Sequence, residues 1–253
     1  MRQSEELQPV FETEEITFAS ADLNLHGFIH KPEGNGPFPA ILLNHGSEHP
    51  KSGKLIANPY VSRGYVIFFP HRRGQGRSSD QGDYIMDLIR QEPESNRGRR
   101  FVELQNTHQE DVIAALSYLK QLPYVDVNRI TMVGCSFGGI QTVLATEKDL
   151  GLRGSVAFSP AAMSWPKVPE LRSRLIQAAH SATVPILLIQ AKNDYDLSAT
   201  RIIAKELKER NKPHTLRIFP RFGKTQADGH SFCARGEQVW GNEVFSFLES
   251  VAP

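Results

Sequence analysis

Cysteine is scarce in this chain, and long apolar runs are absent. Two cysteines occur among the 253 residues, Cys135 and Cys233. Two are too few for a disulfide framework, which agrees with a reducing cytoplasm. No apolar stretch approaches the roughly 20 residues of a transmembrane helix, and Met1–Gln8 is polar, without the apolar core of a signal peptide. We therefore predict a cytoplasmic protein that does not associate with a membrane.

The chain also lacks an excess of charge of either sign. Its 29 basic and 28 acidic residues leave a formal net charge of +1, so no global field attracts nucleic acid. The local run Arg97–Arg100 is expected to be a solvated loop. The histidines and cysteines show no metal-ligand spacing. We expect no nucleic acid partner, no metal and no cofactor.

What the chain does contain is ordinary for a globular protein with a sizeable core, since 40% of its residues are hydrophobic and 23% are charged. Its length is within the range that α/β proteins use for one domain. Neither an internal repeat nor a long linker divides the sequence. We predict a single domain over residues 1–253.

Short apolar runs alternate with helical patterns. Glu14–Phe18 and Leu23–His30 predict an opening pair of strands. Further strands are predicted at residues 40–43, 65–69, 130–133, 155–158, 185–189 and 215–219. Helices are predicted from a capping box at Thr107, from about Ser198 to Lys208, and at the C-terminus. This alternation indicates an α/β fold with a mostly parallel sheet of about eight strands and helices on both faces.

Two stretches fit this alternation poorly, residues 81–106 and 161–181. Both follow the carboxyl end of a strand, where open α/β sheets place their sites. We expect them to form pocket walls or a small lid. The glycine-rich run from Pro70 to Ser78 lacks the Gly-Lys-Ser/Thr ending of a phosphate-binding loop, so a nucleotide role is not expected.

The strongest motif is Gly134-Cys135-Ser136-Phe137-Gly138, directly after the apolar run that ends at Val133. A strand, a sharp turn and a helix start would hold the Ser136 hydroxyl above the sheet, and glycines on either side give the turn room. Were Cys135 the nucleophile, the glycines would have to lie one position earlier. Ser136 is therefore the predicted nucleophile.

A serine nucleophile needs a base and an acid that orients it, in the chain order Ser, Asp or Glu, His. Asp194 follows the strand that ends at Ile189, and it is favoured as the acid. Asp196 is its competitor, although it fits a helix cap better. His230 follows the last strand and is the predicted base, whereas His214 should lie at the opposite sheet edge.

Acyl transfer also needs donors for a developing oxyanion. The backbone N–H groups of Phe137 and Ser47 are predicted to supply them, and His45 is expected to shape the loop before Ser47. Trp165, Met163 and Tyr84 are candidates for the substrate pocket, although each could equally pack in the core or on the surface.

These motifs together resemble the α/β-hydrolase superfamily, and within it the branch similar to dienelactone hydrolase and prolyl oligopeptidase. The resemblance covers about residues 40–235. It is carried by motifs that include Asn44-His45-Gly46, Arg73-Gly74-Gln75-Gly76-Arg77-Ser78, the sharp turn at Ser136 (the elbow), and Gly229-His230. Dienelactone hydrolases proper carry cysteine as the nucleophile, where this chain has Ser136. The resemblance thus implies a compact serine hydrolase and is weak on the substrate.

The expected activity is cleavage of small carboxylic esters through an acyl-enzyme, with a small-molecule ester as the partner. Two alternatives stay open. One is a small peptidase or amidase that uses the same three residues, and the other is a non-catalytic binding protein with a hydrolase fold. The sequence does not determine the oligomeric state, or whether Cys135 and Cys233 lie close together.

Overall fold

A computed structural model describes residues 11–253. The strands are β1 (Glu12–Ser20), β2 (Leu23–Lys31), β3 (Phe38–Asn44), β4 (Val66–Pro70), β5 (Val125–Cys135), β6 (Ser155–Phe158), β7 (Ile186–Ala191) and β8 (His214–Phe219). The helices are α1 (Lys54–Val61), α2 (Ile85–Gln91), α3 (Glu94–Leu119), α4 (Phe137–Ala145), α5 (Pro169–His180), α6 (Ser198–Glu209), α7 (Gln226–His230), α8 (Phe232–Arg235) and α9 (Glu237–Val251).

The eight strands form one sheet in the order β1-β2-β4-β3-β5-β6-β7-β8. β1 and β2 pair antiparallel, as do β2 and β4, and every later neighbouring pair is parallel. The sheet is therefore open and mostly parallel, which confirms the predicted α/β class and strand number. The prediction of a single domain stays a prediction.

The central strands are buried on both faces because successive side chains point to opposite sides. In β3, Ala40 and Leu42 pack into one apolar cluster, and Ile41 and Leu43 pack into another on the other face. Helices cover both clusters. This is why these strands read as continuous apolar runs in the sequence rather than as alternating ones.

The start of one helix differs from the prediction. The sequence predicts that a helix begins at the capping box of Thr107, but α3 begins at Glu94 and continues through that position. The Thr107 hydroxyl donates to the carbonyl of Glu103 within the helix. Phe101 and Leu104, within the two turns before Thr107, are buried. Their burial against the core extends the helix beyond the local cap signal.

Parallel strands bring their carboxyl ends to one edge of the sheet. β3, β5 and β7 end at this edge, and β8 joins them as the parallel neighbour of β7. The loops after these four strands carry Ser47, Ser136, Asp194 and His230, respectively. Within residues 11–253, no helix is both long and apolar enough to cross a bilayer.

Candidate active site

Ser136 lies at the sharp turn between β5 and α4. Its backbone adopts φ 58° and ψ −113°, a left-handed φ that non-glycine residues rarely adopt. A Cβ on Gly134 would collide with the carbonyl of Gly138, and a Cβ on Gly138 would collide with the carbonyl of Asn44. Glycine at both positions is therefore required for the turn to close, as the sequence motif predicts.

His230 ends the short helix α7 and lies next to Ser136. Its Nε2 is 2.9 Å from the Ser136 Oγ, and its Nδ1 is 2.8 Å from the Asp194 Oδ1. A Cβ on Gly229 would lie 2.7 Å from the backbone of Asn193. Gly229 thus lets α7 approach the loop that carries Asp194. The structure brings the three predicted residues into one continuous hydrogen-bonded chain.

Asp194 is buried beneath His230 with both carboxylate oxygens occupied. Besides the imidazole, Oδ1 accepts the N–H of Tyr195 at 2.7 Å, and Oδ2 accepts the side-chain amide of Gln190 at 2.9 Å. Burial acts to raise the pKa of Asp194, but the hydrogen bonds from His230 and its other donors outweigh it, so the pKa lies below its ordinary value. The charged carboxylate is thus the favoured form. The competitor Asp196 accepts the N–H of Ser198 at the start of α6.

Two backbone donors near Ser136 are unpaired among the described residues. Neither the N–H of Ser47 nor that of Phe137 has a hydrogen-bond partner among the described residues. Phe137 is the first residue of α4, where an N–H has no partner within the helix. The His45 ring lies 2.9 Å from the carbonyl of Gly46 through Nδ1, which agrees with a loop-shaping role. An oxyanion bound by Ser47 and Phe137 stays a prediction.

A cavity of about 690 Å³ opens over Ser136, within the range of small-molecule sites. Met163 lines it, as predicted, but Trp165 and Tyr84 are not among its lining residues. Trp165 is 3% exposed and packs in the core. The Tyr84 hydroxyl donates to the carbonyl of Ser47 at 2.7 Å, so Tyr84 supports the loop from behind. Neither Trp165 nor Tyr84 therefore lines this cavity.

The wall of this cavity comes largely from the segment after Ser47, whose residues were not among those predicted from the sequence. Residues 48–56, which include Glu48 and Leu55, line the cavity. Of residues 81–106, none in the described chain lines it, and whether this stretch forms a lid stays untested. A signal was present, since residues 48–56 follow the carboxyl end of β3. No group of three or more metal-ligating side chains occurs within residues 11–253.

A model of the dienelactone hydrolase family matches residues 25–249. The chain belongs to this family. This membership supports hydrolase activity in general, and it confirms the resemblance drawn from the motifs. Within the dienelactone hydrolase family, this member carries Ser136 at the elbow.

Curated relatives of this dienelactone hydrolase family member have varied activities. It is 24% identical over 148 residues to the quorum-quenching protein AidA of Acinetobacter baumannii, and the matched region covers 58% of this chain and 43% of AidA. It is 27% identical over 187 residues to a polyketide transferase of Gibberella fujikuroi, and the matched region covers 72% of this chain and 52% of the transferase. The chain thus spans about half the length of these relatives.

Solved structures share the fold of this dienelactone hydrolase family member. An acylaminoacyl peptidase of Pyrococcus horikoshii is similar with a TM-score of 0.73 at 21% identity, covering 94% of this chain and 41% of that chain. An esterase of Pyrococcus furiosus is similar with a TM-score of 0.68 at 16% identity, covering 96% and 92%. These similarities confirm the α/β-hydrolase fold.

The two cysteines of this dienelactone hydrolase family member are paired. A disulfide joins Cys135, next to Ser136, to Cys233 in α8, and their Cα atoms are 6.1 Å apart. Both residues line the cavity. The sequence leaves open whether the two cysteines are close, because a separation of 98 residues gives no sign of proximity. The disulfide removes the cysteine-based argument for a reducing compartment.

Proposed function

We propose that this chain is a serine hydrolase that cleaves small carboxylic esters through an acyl-enzyme. The observation that carries the proposal is the position of the His230 ring, within hydrogen-bond distance of the Ser136 hydroxyl on one side and the Asp194 carboxylate on the other. A neutral hydroxyl is a weak nucleophile, and a neighbouring imidazole activates it by accepting its proton.

The proposed reaction begins when the Ser136 Oγ attacks the ester carbonyl and its proton passes to the His230 Nε2. Asp194 holds the ring in the tautomer that can accept this proton and stabilises the imidazolium. The N–H groups of Ser47 and Phe137 bind the oxyanion of the tetrahedral intermediate. His230 then protonates the leaving alcohol. Water, activated by the same ring, releases the acyl group.

The cavity favours a small ester of mixed polarity as the partner. Leu55 and Met163 are exposed apolar side chains in its lining. Glu48 and Lys51 add charge of both signs to the same lining. A volume of about 690 Å³ is of the size that small-molecule sites have. A cytoplasmic location stays a prediction, with its cysteine argument removed.

A small peptidase is the second candidate, and Glu48 is the observation that favours it. Glu48 lines the cavity, and its carboxylate, which accepts the N–H of Gly46 at 3.3 Å, could pair with a substrate amine there. The similar structure from Pyrococcus horikoshii is an acylaminoacyl peptidase. An aminoacyl-arylamide series separates the candidates, because ester cleavage without arylamide cleavage supports the esterase proposal.

Ser136→Ala tests the mechanism with p-nitrophenyl esters of increasing acyl length. We expect kcat to fall by about 10⁴-fold or more. Ser117→Ala is a matched control, since Ser117 is an exposed serine of α3 whose hydroxyl donates to a helix carbonyl. A fluorophosphonate should label the wild type and the control but not Ser136→Ala. Wild-type turnover in Ser136→Ala would overturn the proposal. An absence of both labelling and turnover in the wild type would favour the non-catalytic alternative.

A further inference from the structure

Arg72, in the glycine-rich run after β4, is a buried cation. It is 1% exposed, and among residues 11–253 no carboxylate lies within 4.0 Å of its guanidinium nitrogens. Burial lowers the pKa of the Arg72 guanidinium to about 10, so the group stays protonated at neutral pH. Because an isolated buried charge is costly, its hydrogen-bond partners indicate what this side chain does.

Those partners include two backbone carbonyls of the loop before Ser47, and the His45 ring nitrogen Nδ1 also lies 3.1 Å from the Arg72 Nη2. The guanidinium donates from Nη1 to the carbonyl of His45 at 3.0 Å and from Nη2 to the carbonyl of Gly46 at 2.6 Å. Its Nε donates to the side-chain oxygen of Gln75 at 3.2 Å. The planar guanidinium thus holds two consecutive peptide groups at once, which a single ammonium cannot do with the same geometry.

Gln75 extends the same support along the loop. With its oxygen bound by Arg72, its amide nitrogen donates to the carbonyls of Ser47 and Glu48, each at 3.0 Å. Gln75 itself is fully buried. The carbonyls of four consecutive residues, 45–48, are therefore held by one pair of interacting side chains.

Because the Gly46 carbonyl is bound by Arg72, peptide geometry fixes the direction of the Ser47 N–H. A trans peptide is planar, and its C=O and N–H point in opposite directions. The Gly46 carbonyl points into the interior towards Arg72, so the N–H of Ser47 in the same peptide group points away from Arg72. Ser47 lines the cavity on that side. We propose that Arg72 is a positioning residue that orients the Ser47 N–H for the oxyanion, and that Gln75, bound to Arg72, holds the next two carbonyls of the same loop.

This proposal rests on the proposed function and adds a specific consequence to it. Arg72 does not touch the substrate. Its loss should leave ground-state binding to the cavity walls intact and weaken the bond that forms when the oxyanion develops. Such a loss lowers kcat, with little change in KM.

Arg72→Lys and Arg73→Lys form a matched pair for the test. Arg73 is the neighbouring arginine, but its guanidinium binds the Asp111 carboxylate of α3 rather than the loop. With p-nitrophenyl acetate we expect kcat to fall about 10-fold in Arg72→Lys and about 100-fold in Arg72→Met, approaching the effect of removing one oxyanion donor. KM should change by less than about threefold, and Arg73→Lys should keep wild-type kcat.

The inhibition constant of a small alkyl trifluoromethyl ketone separates this role from a merely structural one, because the ketone binds as an oxyanion. Ser136 adds to its carbonyl, its proton passes to His230, and the resulting hemiketal oxyanion occupies the hole. The inhibition constant should rise in Arg72→Lys by the same factor as kcat falls, and it should stay at the wild-type value in Arg73→Lys.

The proposal is overturned if Arg72→Lys, folded by circular dichroism at the assay temperature, keeps kcat and ketone affinity within about twofold of the wild type. If Arg72→Met does not fold, Arg72→Lys and Gln75→Leu decide, since Gln75→Leu retains the arginine and removes two carbonyl contacts. An inactive wild type contradicts the proposed function itself, whereas an active wild type with unaffected Arg72 variants contradicts the positioning role alone.

Discussion

His71 is a buried histidine that uses both of its ring nitrogens. Its Nε2 donates to the carbonyl of Lys51 at 2.9 Å, and its Nδ1 accepts the N–H of Arg77 at 2.8 Å. This pattern requires the neutral ring, because a protonated Nδ1 cannot accept a hydrogen bond. His71 thereby joins the cavity wall near Lys51 to the glycine-rich run that contains Arg77. Protonation would break that connection.

Burial lowers the pKa of His71 from 6.5 to about 4, and burial has the same effect on His30. The unfolded chain therefore binds more protons than the folded protein between these values, so stability falls as the pH falls. The contribution is fully present above about pH 6.5 and is lost by about pH 4. For each ring, the free energy of unfolding falls by roughly 3 kcal/mol over the whole pH range. About 1 kcal/mol of this loss has occurred by about pH 5.5.

His71→Gln isolates the contribution of one ring, because glutamine offers a donor and an acceptor but does not titrate. Urea unfolding followed by circular dichroism at about pH 7.5 and about pH 5.5 gives the free energy of unfolding of each variant. The variant should be less stable at the higher pH, and its deficit should shrink by about 1 kcal/mol at the lower pH. His214→Gln is the control, since His214 is only half-buried at the start of β8. Parallel pH dependence of the wild type and His71→Gln would refute the reasoning.

Two further changes test the site. Asp194→Asn should lower kcat by about 10⁴-fold, because an amide favours the tautomer of His230 that cannot accept the serine proton; turnover within tenfold of the wild type would contradict this role. Cys233→Ser opens a loop closed over a separation of 98 residues, and the chain-entropy model gives a loss of about 4–5 kcal/mol. Dithiothreitol should reproduce that loss in the wild type during urea unfolding and leave Cys233→Ser unchanged, whereas equal stability of the two proteins without reductant would exclude a stabilising disulfide.

The strands were predictable because burial on both faces of a parallel sheet requires continuous apolar runs. All eight predicted runs are strands, with ends shifted by a few residues. The start of α3 was not predictable from Thr107, because the local cap signal is weaker than the burial of Phe101 and Leu104 in an apolar cluster that includes Phe137, which is distant in the chain. Helix boundaries of this kind depend on what the helix packs against.

The candidate site was likewise predictable from the sequence only in part. The elbow at Ser136 is local, since the turn depends on glycines two residues away on either side, and it can be seen in the sequence. The loop positions of Asp194 and His230 follow from the chain order of strands in this fold. The pocket wall, in contrast, is made by residues 48–56, and Trp165 is in the core. Which face of a loop meets solvent depends on neighbours distant in sequence.

The sequence by itself determined the fold class, because apolar periodicity is a property of adjacent residues. From local turn chemistry and chain order it also predicted Ser136 as the nucleophile, with Asp194 and His230 as the residues that act with it. The tertiary structure alone decided the pairing of Cys135 with Cys233 and the contact of Arg72 with the loop before Ser47. It also decided that His230 meets Ser136 across a separation of 94 residues. These contacts join segments that are distant in the chain, and their geometry is set by how the whole sheet packs against its helices.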